Sequence, residues 1–182
     1  MKNNLLKNIC IFACLIIVPL ITLNLAFQDD LFKYNFTYLS TLNNTKFLYY
    51  CWSFITISTA SISIHLIIKK YYLIKPTNFQ IILLFFILFG ASLVPYSDTD
   101  NILSFLHIFA VYIALIYFNY ILYTLYYFMT LINVGKYEGY AYIFQFTTCF
   151  FISMICGSIN SLVEIIYTIS TTFILASLLI KK

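Results

Sequence analysis

The sequence predicts an all-α fold, a polytopic membrane bundle of six transmembrane helices with both termini on the cytoplasmic side. Three observations carry the prediction. Hydrophobic residues make up 63% of the 182 and charged residues 9%, which leaves too little polar surface to cover a water-exposed globule. The apolar residues gather into runs close to the length that a hydrocarbon core of about 30 Å requires. The charges between those runs are sorted by sign, lysines toward one side and acids toward the other.

The runs follow one another as a single domain over residues 1–182, with spans at about 9–27, 47–68, 77–94, 102–130, 140–156 and 161–180. The first follows Lys2 and Lys7 in the manner of a signal peptide. It is long for one and lacks a small-x-small cleavage site, so it reads as an uncleaved span, kinked at Pro19. Pro76, Pro95, Gly135, Gly139 and Gly157 punctuate the later runs. The narrowest boundary is Gly157 to Ser161, where a tight turn must part the last two helices; without it the count falls to five. In the one sizeable loop, Gln28 to Lys46, the residues Phe32, Tyr34, Phe36 and Tyr38 alternate as in a strand, while Leu31, Tyr34, Tyr38 and Leu42 share a helical face. Either form would lie over the outer end of the bundle as a lid.

Lysines set the orientation, because short loops rich in Lys stay cytoplasmic. An N-terminus inside gives the cytoplasm Lys2, Lys7, Lys69, Lys70, Lys75, Lys136, Lys181 and Lys182, and leaves Lys33 and Lys46 outside. Asp29, Asp30, Asp98, Asp100 and Glu164 then fall on the outer side and Glu138 on the inner. The expected location is a bacterial cytoplasmic membrane.

Chemistry is sparse. Cys10, Cys14, Cys51, Cys149 and Cys156 lie in or beside apolar runs with no C-x-x-C pair, as buried spectators do. No phosphate-binding loop, H-E-x-x-H, G-x-S-x-G or arginine-studded span is present, which removes NTPase, zinc-protease, hydrolase and voltage-sensor readings. Thr56, Ser58, Thr59, Ser61 and Ser63 in the second span, and Gly90, Ala91 and Ser92 in the third, are small residues that let helices approach closely.

The two histidines are the most informative polar groups, since an ionisable residue in a span must face protein or water. His65 lies near the cytoplasmic face and His107 about two turns into the fourth span from outside, very roughly 15 to 20 Å apart in depth. One metal ion cannot bridge them. Ala110 and Ala114, at i+3 and i+7, turn His107 toward the bundle interior. With Asp98, Asp100 and Glu164 it forms a candidate polar pocket open to the outer side, suited to a lipid or small amphiphile. The alternative makes Asp98 and Asp100 solvated loop residues, Glu164 a carboxylate favoured by a helix N-terminus, and His107 a hydrogen-bonded packing residue. His65, Lys69, Lys70 and Lys75 lie where lipid headgroups would be, and are candidates for contact with them. Tyr71 and Tyr72 beside them belong to an interfacial aromatic belt. The tyrosines of the long fourth span, Tyr117, Tyr120, Tyr123, Tyr126 and Tyr127, need bind nothing.

The order of certain features resembles a known family. A loop with Asn35-Phe36-Thr37-Tyr38-Leu39-Ser40 after the first span, a third span ending in Leu93-Val94-Pro95 and a fourth opening with Leu106-His107 are similar to the Frag/DRAM/Sfk-like six-span membrane family and its bacterial relatives. The resemblance implies cytoplasmic termini and a link to lipid organisation and membrane trafficking. The combined expectation is a non-enzymatic membrane protein with no cofactor, no metal and no nucleic-acid partner, binding or organising lipid. Its alternative is a six-span substrate-binding or accessory subunit of a membrane transporter. Partners are membrane lipids and a membrane-protein partner or second copy of the chain.

Overall fold

The computed structural model describes residues 2–97, 99–157 and 159–181, with side chains from Asn4 onward. Asp98 and Lys182 lie outside the described residues. All regular structure among those residues is helical. The first helix, α1, joins an α-helix over Lys2–Phe12, a π-helical turn over Ala13–Ile17 and an α-helix over Val18–Ala26. Pro19 accounts for the widened turn: it brings no N–H and its ring presses on the carbonyl four residues back. A single short turn of helix, α2 (Phe36–Leu39), follows in the loop, capped by Asn35; Leu31, Tyr34 and Leu42 lie outside it, so the loop forms neither a strand nor a helix across 31–42.

The remaining helices are α3 (Lys46–Tyr71), α4 (Asn78–Leu93), α5 (Asn101–Leu131), α6 (Lys136–Cys156) and α7 (Ser161–Ile180). Their starts are written in the sequence: Thr77 and Gln80 form a capping box, Asp100 caps α5, and Asn160 caps α7 by accepting from Val163 N. The narrow boundary between the last two spans is a true break. Helix α6 stops at Gly157, whose φ of 71° suits glycine, and α7 restarts at Ser161.

Five helices, α1, α3, α5, α6 and α7, are long and apolar enough to cross a membrane, the make-up of a multi-pass membrane protein. The shortfall from six lies at α4, an apolar helix of 16 residues.

Helix α7 is the hub, packing on α1, α3 and α6, while α4 lies between α3 and α5, and α5 meets α6. The main core gathers Ile64, Ile67, Leu84, Ile121, Leu125, Met129, Leu175 and Leu178, all fully buried. A second cluster, where the loop after α1 packs on α1 and α3, joins Leu25, Phe36, Leu39 and Tyr49. Of the small residues expected at helix contacts in α3, Thr59, Ser61 and Ser63 are buried and Thr56 and Ser58 half-buried, and Ser63 Oγ lies 3.5 Å from Cys14 Sγ on α1. In α4 Ala91 is buried, but Gly90 is exposed with open space beside it, so no close crossing occurs there.

Candidate functional site

At the end of the bundle where α7 starts, its first turn holds the loop between α1 and α3. Phe36 N donates to Glu164 Oε2 at 2.6 Å, Ser161 N and Oγ donate to Tyr34 O at 2.8 and 2.9 Å, and Leu162 N donates to Leu31 O at 3.2 Å. Asn160 Nδ2 adds a bond to Phe32 O at 3.3 Å. A helix N-terminus has N–H groups without intrahelical partners, and here loop carbonyls accept from two of them. Glu164 also sits where the helix dipole favours a carboxylate.

His107 is buried, as its alanine stripe implies. Its Nδ1 lies 2.6 Å from Val94 O, which can only accept, so Nδ1 carries the hydrogen and ties α5 to the end of α4. Nε2 is buried with no hydrogen-bond partner among the described residues, and the Tyr96 ring packs edge-on at 5.8 Å. Asp100 is exposed and accepts from Ile102 N and Leu103 N at 2.9 and 3.2 Å. Among the described residues no hydrogen bond or ion pair joins any two of His107, Asp100 and Glu164. Each serves a separate local purpose: helix tie, helix cap and lid latch.

At the opposite end, Lys70 has its ammonium satisfied within the fold. Its three hydrogens reach Leu178 O at 3.0 Å, Leu179 O at 3.1 Å and Lys181 O, the terminal carbonyls of α7, and Tyr71 OH donates to Leu178 O at 3.1 Å. A cation is well placed at a helix C-terminus. His65 Nδ1 lies 3.0 Å from Asn78 Oδ1 at the start of α4. Of the four residues assigned to headgroup contact, Lys69 and Lys75 stand exposed. Glu138 is drawn into the bundle by Lys181 Nζ at 2.6 Å and Ser177 Oγ at 2.8 Å.

Midway along the spans lies a polar network that the sequence reading did not single out. Asn119 Oδ1 accepts from Tyr142 OH at 2.9 Å and Tyr167 OH at 3.0 Å, joining α5, α6 and α7. Gln145 Nε2 donates to Tyr167 O at 2.9 Å and Thr171 Oγ1 at 2.7 Å. The signal was available: Asn119 and Gln145 are the amide side chains at mid-span, where an unsatisfied polar group is costly.

Beside this network a cavity of about 440 Å³ opens between α5 and α6. Tyr123, Tyr126, Tyr127, Tyr140 and Tyr142 form its walls, and Thr130, Asn133 and Lys136 its rim at the α5–α6 turn. The turn explains the placement. Val134 N donates to Met129 O and Asn133 N to Thr130 O, the pattern of a Schellman cap, with Asn133 in the left-handed region at φ 55°. Gly135 follows at φ 83°, so close to Met129 and Leu178 that a Cβ would meet both at 3.2 Å. Two left-handed residues thus reverse the chain and bring Asn133 and Lys136 to the cavity mouth. Tyr126 is 4% exposed and its hydroxyl has no partner. A second groove of about 300 Å³ lies between α6 and α7, lined by Phe144, Gln145, Thr148, Ser170 and Phe173 among others, and Gln145 Oε1 is buried without a partner. No group of three or more His, Cys, Asp or Glu among the described residues is placed to hold a metal ion.

Comparison with known proteins finds no family model, no curated protein and no solved structure that matches this chain.

Proposed function

We propose that this is a non-enzymatic protein of the bacterial cytoplasmic membrane that holds a membrane lipid in the cavity between α5 and α6. In this reading α4 is the sixth span and both termini are cytoplasmic, which puts the α5–α6 turn at the cytoplasmic face. The observation that carries the lipid reading is the tyrosine-walled cavity itself. Tyr123, Tyr127 and Tyr140 are exposed on the outward surface of α5 and α6, so a lipid enters sideways from the bilayer. Amphipathic rings offer apolar faces to a chain and hydroxyls to a headgroup. The lipid-organising role implied by the family resemblance points the same way. The outer set, His107, Asp98, Asp100 and Glu164, is a weaker candidate, because three of its members already have partners within the fold.

The test is native mass spectrometry of protein gently extracted from its own membrane. Wild type is expected to retain one lipid per chain. Gly139 borders the cavity, and a Cβ there meets only Thr130 Cγ2, at 3.6 Å. Gly139→Leu therefore fills the space, and is expected to lose the lipid while keeping wild-type thermal stability. Equal retention by both proteins would sink the proposal.

A second reading, an accessory or substrate-binding subunit of a membrane transporter, draws support from the sparse packing of α5 and α6. It expects a stoichiometric membrane-protein partner in the same spectra, or a second copy of this chain.

A further inference from the structure

The lipid-site reading leaves the lipid's class open, and the charges around the cavity narrow it. We infer that the cavity selects a net-anionic phospholipid, its phosphate at Lys136 and part of one chain along the tyrosine rings. This rests on the proposed lipid site and adds to it.

Among the described residues, Lys136 forms no ion pair. Lys136 is exposed at the cavity rim, two residues from Glu138. That carboxylate is turned away into the bundle, where Lys181 and Ser177 hold it, and Lys181–Glu138 is the one ion pair among the described residues. Of the other described acids, Asp29 and Asp30 follow the end of α1, Asp100 caps the start of α5 and Glu164 lies in the first turn of α7, all at the end of the helices away from the α5–α6 turn. Among the described residues the rim cation therefore has no acidic partner, and a phosphate arriving at the interface supplies one.

The groups around Lys136 are also donors. Asn133 and Thr130 share the rim, and α6 begins at Gly135 without a side-chain cap, so the positive end of its dipole is unscreened by any side chain from the N-cap residue. Tyr126 adds a buried hydroxyl still lacking a partner. Below this polar rim the walls become ring faces and Ile143. At about 440 Å³ the cavity is at the small end for ligand sites, room for a headgroup and part of one chain.

A zwitterionic lipid fits less well, because no carboxylate lines the cavity to receive its ammonium. Tyrosine faces do attract quaternary ammonium. Here, however, Lys136 Nζ already lies 6.0 Å from the centre of the Tyr140 ring and repels a second cation.

The experiment titrates the purified full-length chain with phosphatidylglycerol or phosphatidylcholine of identical acyl chains, read by native mass spectrometry. Phosphatidylglycerol is expected to bind about fivefold tighter, as one lysine near a lipid phosphate supplies. Lys136→Gln is expected to abolish that preference, whereas Lys75→Gln, an exposed lysine at the same end but outside the cavity, keeps it. Equal binding of the two lipids by wild type, with either still displaced by Gly139→Leu, would overturn the charge selection and leave the lipid site standing. Retention of neither lipid would remove the lipid site as well. Displacement of phosphatidylglycerol by millimolar glycerol phosphate would assign the rim to a free phosphate and overturn the lipid assignment.

Discussion

Helices α1, α3 and α7 have 44%, 44% and 50% of their most apolar stretch buried inside the protein, against 17% for α5 and 22% for α6. The two halves are built from the same kinds of residue but used differently. In the first, small side chains such as Ser53, Ala60, Ser63 and Ala176 are buried at the contacts, and Trp52 Nε1 reaches across to Thr22 Oγ1 at 2.9 Å. In the second, large aromatics stand outward, only one side of α5 enters the main core through Ile121, Leu122, Leu125 and Met129, and Asn119 adds polar bonds to α6 and α7. Water would not tolerate so much exposed apolar surface, but lipid tails are as apolar as a leucine, so exposure there carries no penalty. Packing, not hydrophobicity, separates the structural half from the half free to meet other molecules.

That contrast can be broken or sharpened by substitution. Leu175, fully buried at the hub of α7, marks the structural half. Leu175→Ala is expected to cost about 2 to 4 kcal/mol through the void it leaves, read from denaturant unfolding in micelles. Lys70→Ala strands the terminal carbonyls of α7, and is expected to cost about 1 to 2 kcal/mol with fraying of that helix end in hydrogen exchange. Asn119→Leu removes one acceptor from two tyrosine hydroxyls. At about 0.6 kcal/mol for each hydrogen bond in a membrane, a loss of about 1 kcal/mol is expected. Ile116, 69% exposed on α5, marks the other half. Ile116→Ala is expected to change stability by less than about 0.5 kcal/mol. A loss there as large as that of Leu175→Ala would mean that a protein surface covers α5 in the membrane, and would favour the subunit reading.

Much of the helical architecture was legible in the sequence because a bilayer demands long apolar runs. The last span was placed residue for residue, and the caps at Thr77, Asp100 and Asn160 stand where turn chemistry puts them. Helix α6 begins at Lys136 rather than Tyr140, because Gly135 ends the turn and Glu138 is pulled inward. Sequence spacing says nothing of a side chain's partner on another helix, so the site was harder to see. Lys70 looked like a headgroup contact and is bonded to the end of α7. Glu164 looked like a ligand-binding acid and accepts from the lid backbone. Tyr126 looked like a residue that need bind nothing, yet its ring lies 5.0 Å from that of Tyr142 in the wall of the cavity between α5 and α6.

The brevity of α4 has a consequence for the membrane itself. Sixteen residues rise about 24 Å, some 6 Å short of an average hydrocarbon thickness of about 30 Å. As the sixth span it would leave one flank of the protein thinner than its surroundings. A mismatch of that kind is met by local thinning of the bilayer, at fractions of a kcal/mol for each ångström. That flank would adjoin the turn that carries Val94, Pro95 and Tyr96, and would bring headgroups and water closer to Nε2 of His107. Such a protein would collect where the bilayer is already thin, and its abundance would rise as bulk acyl chains are shortened.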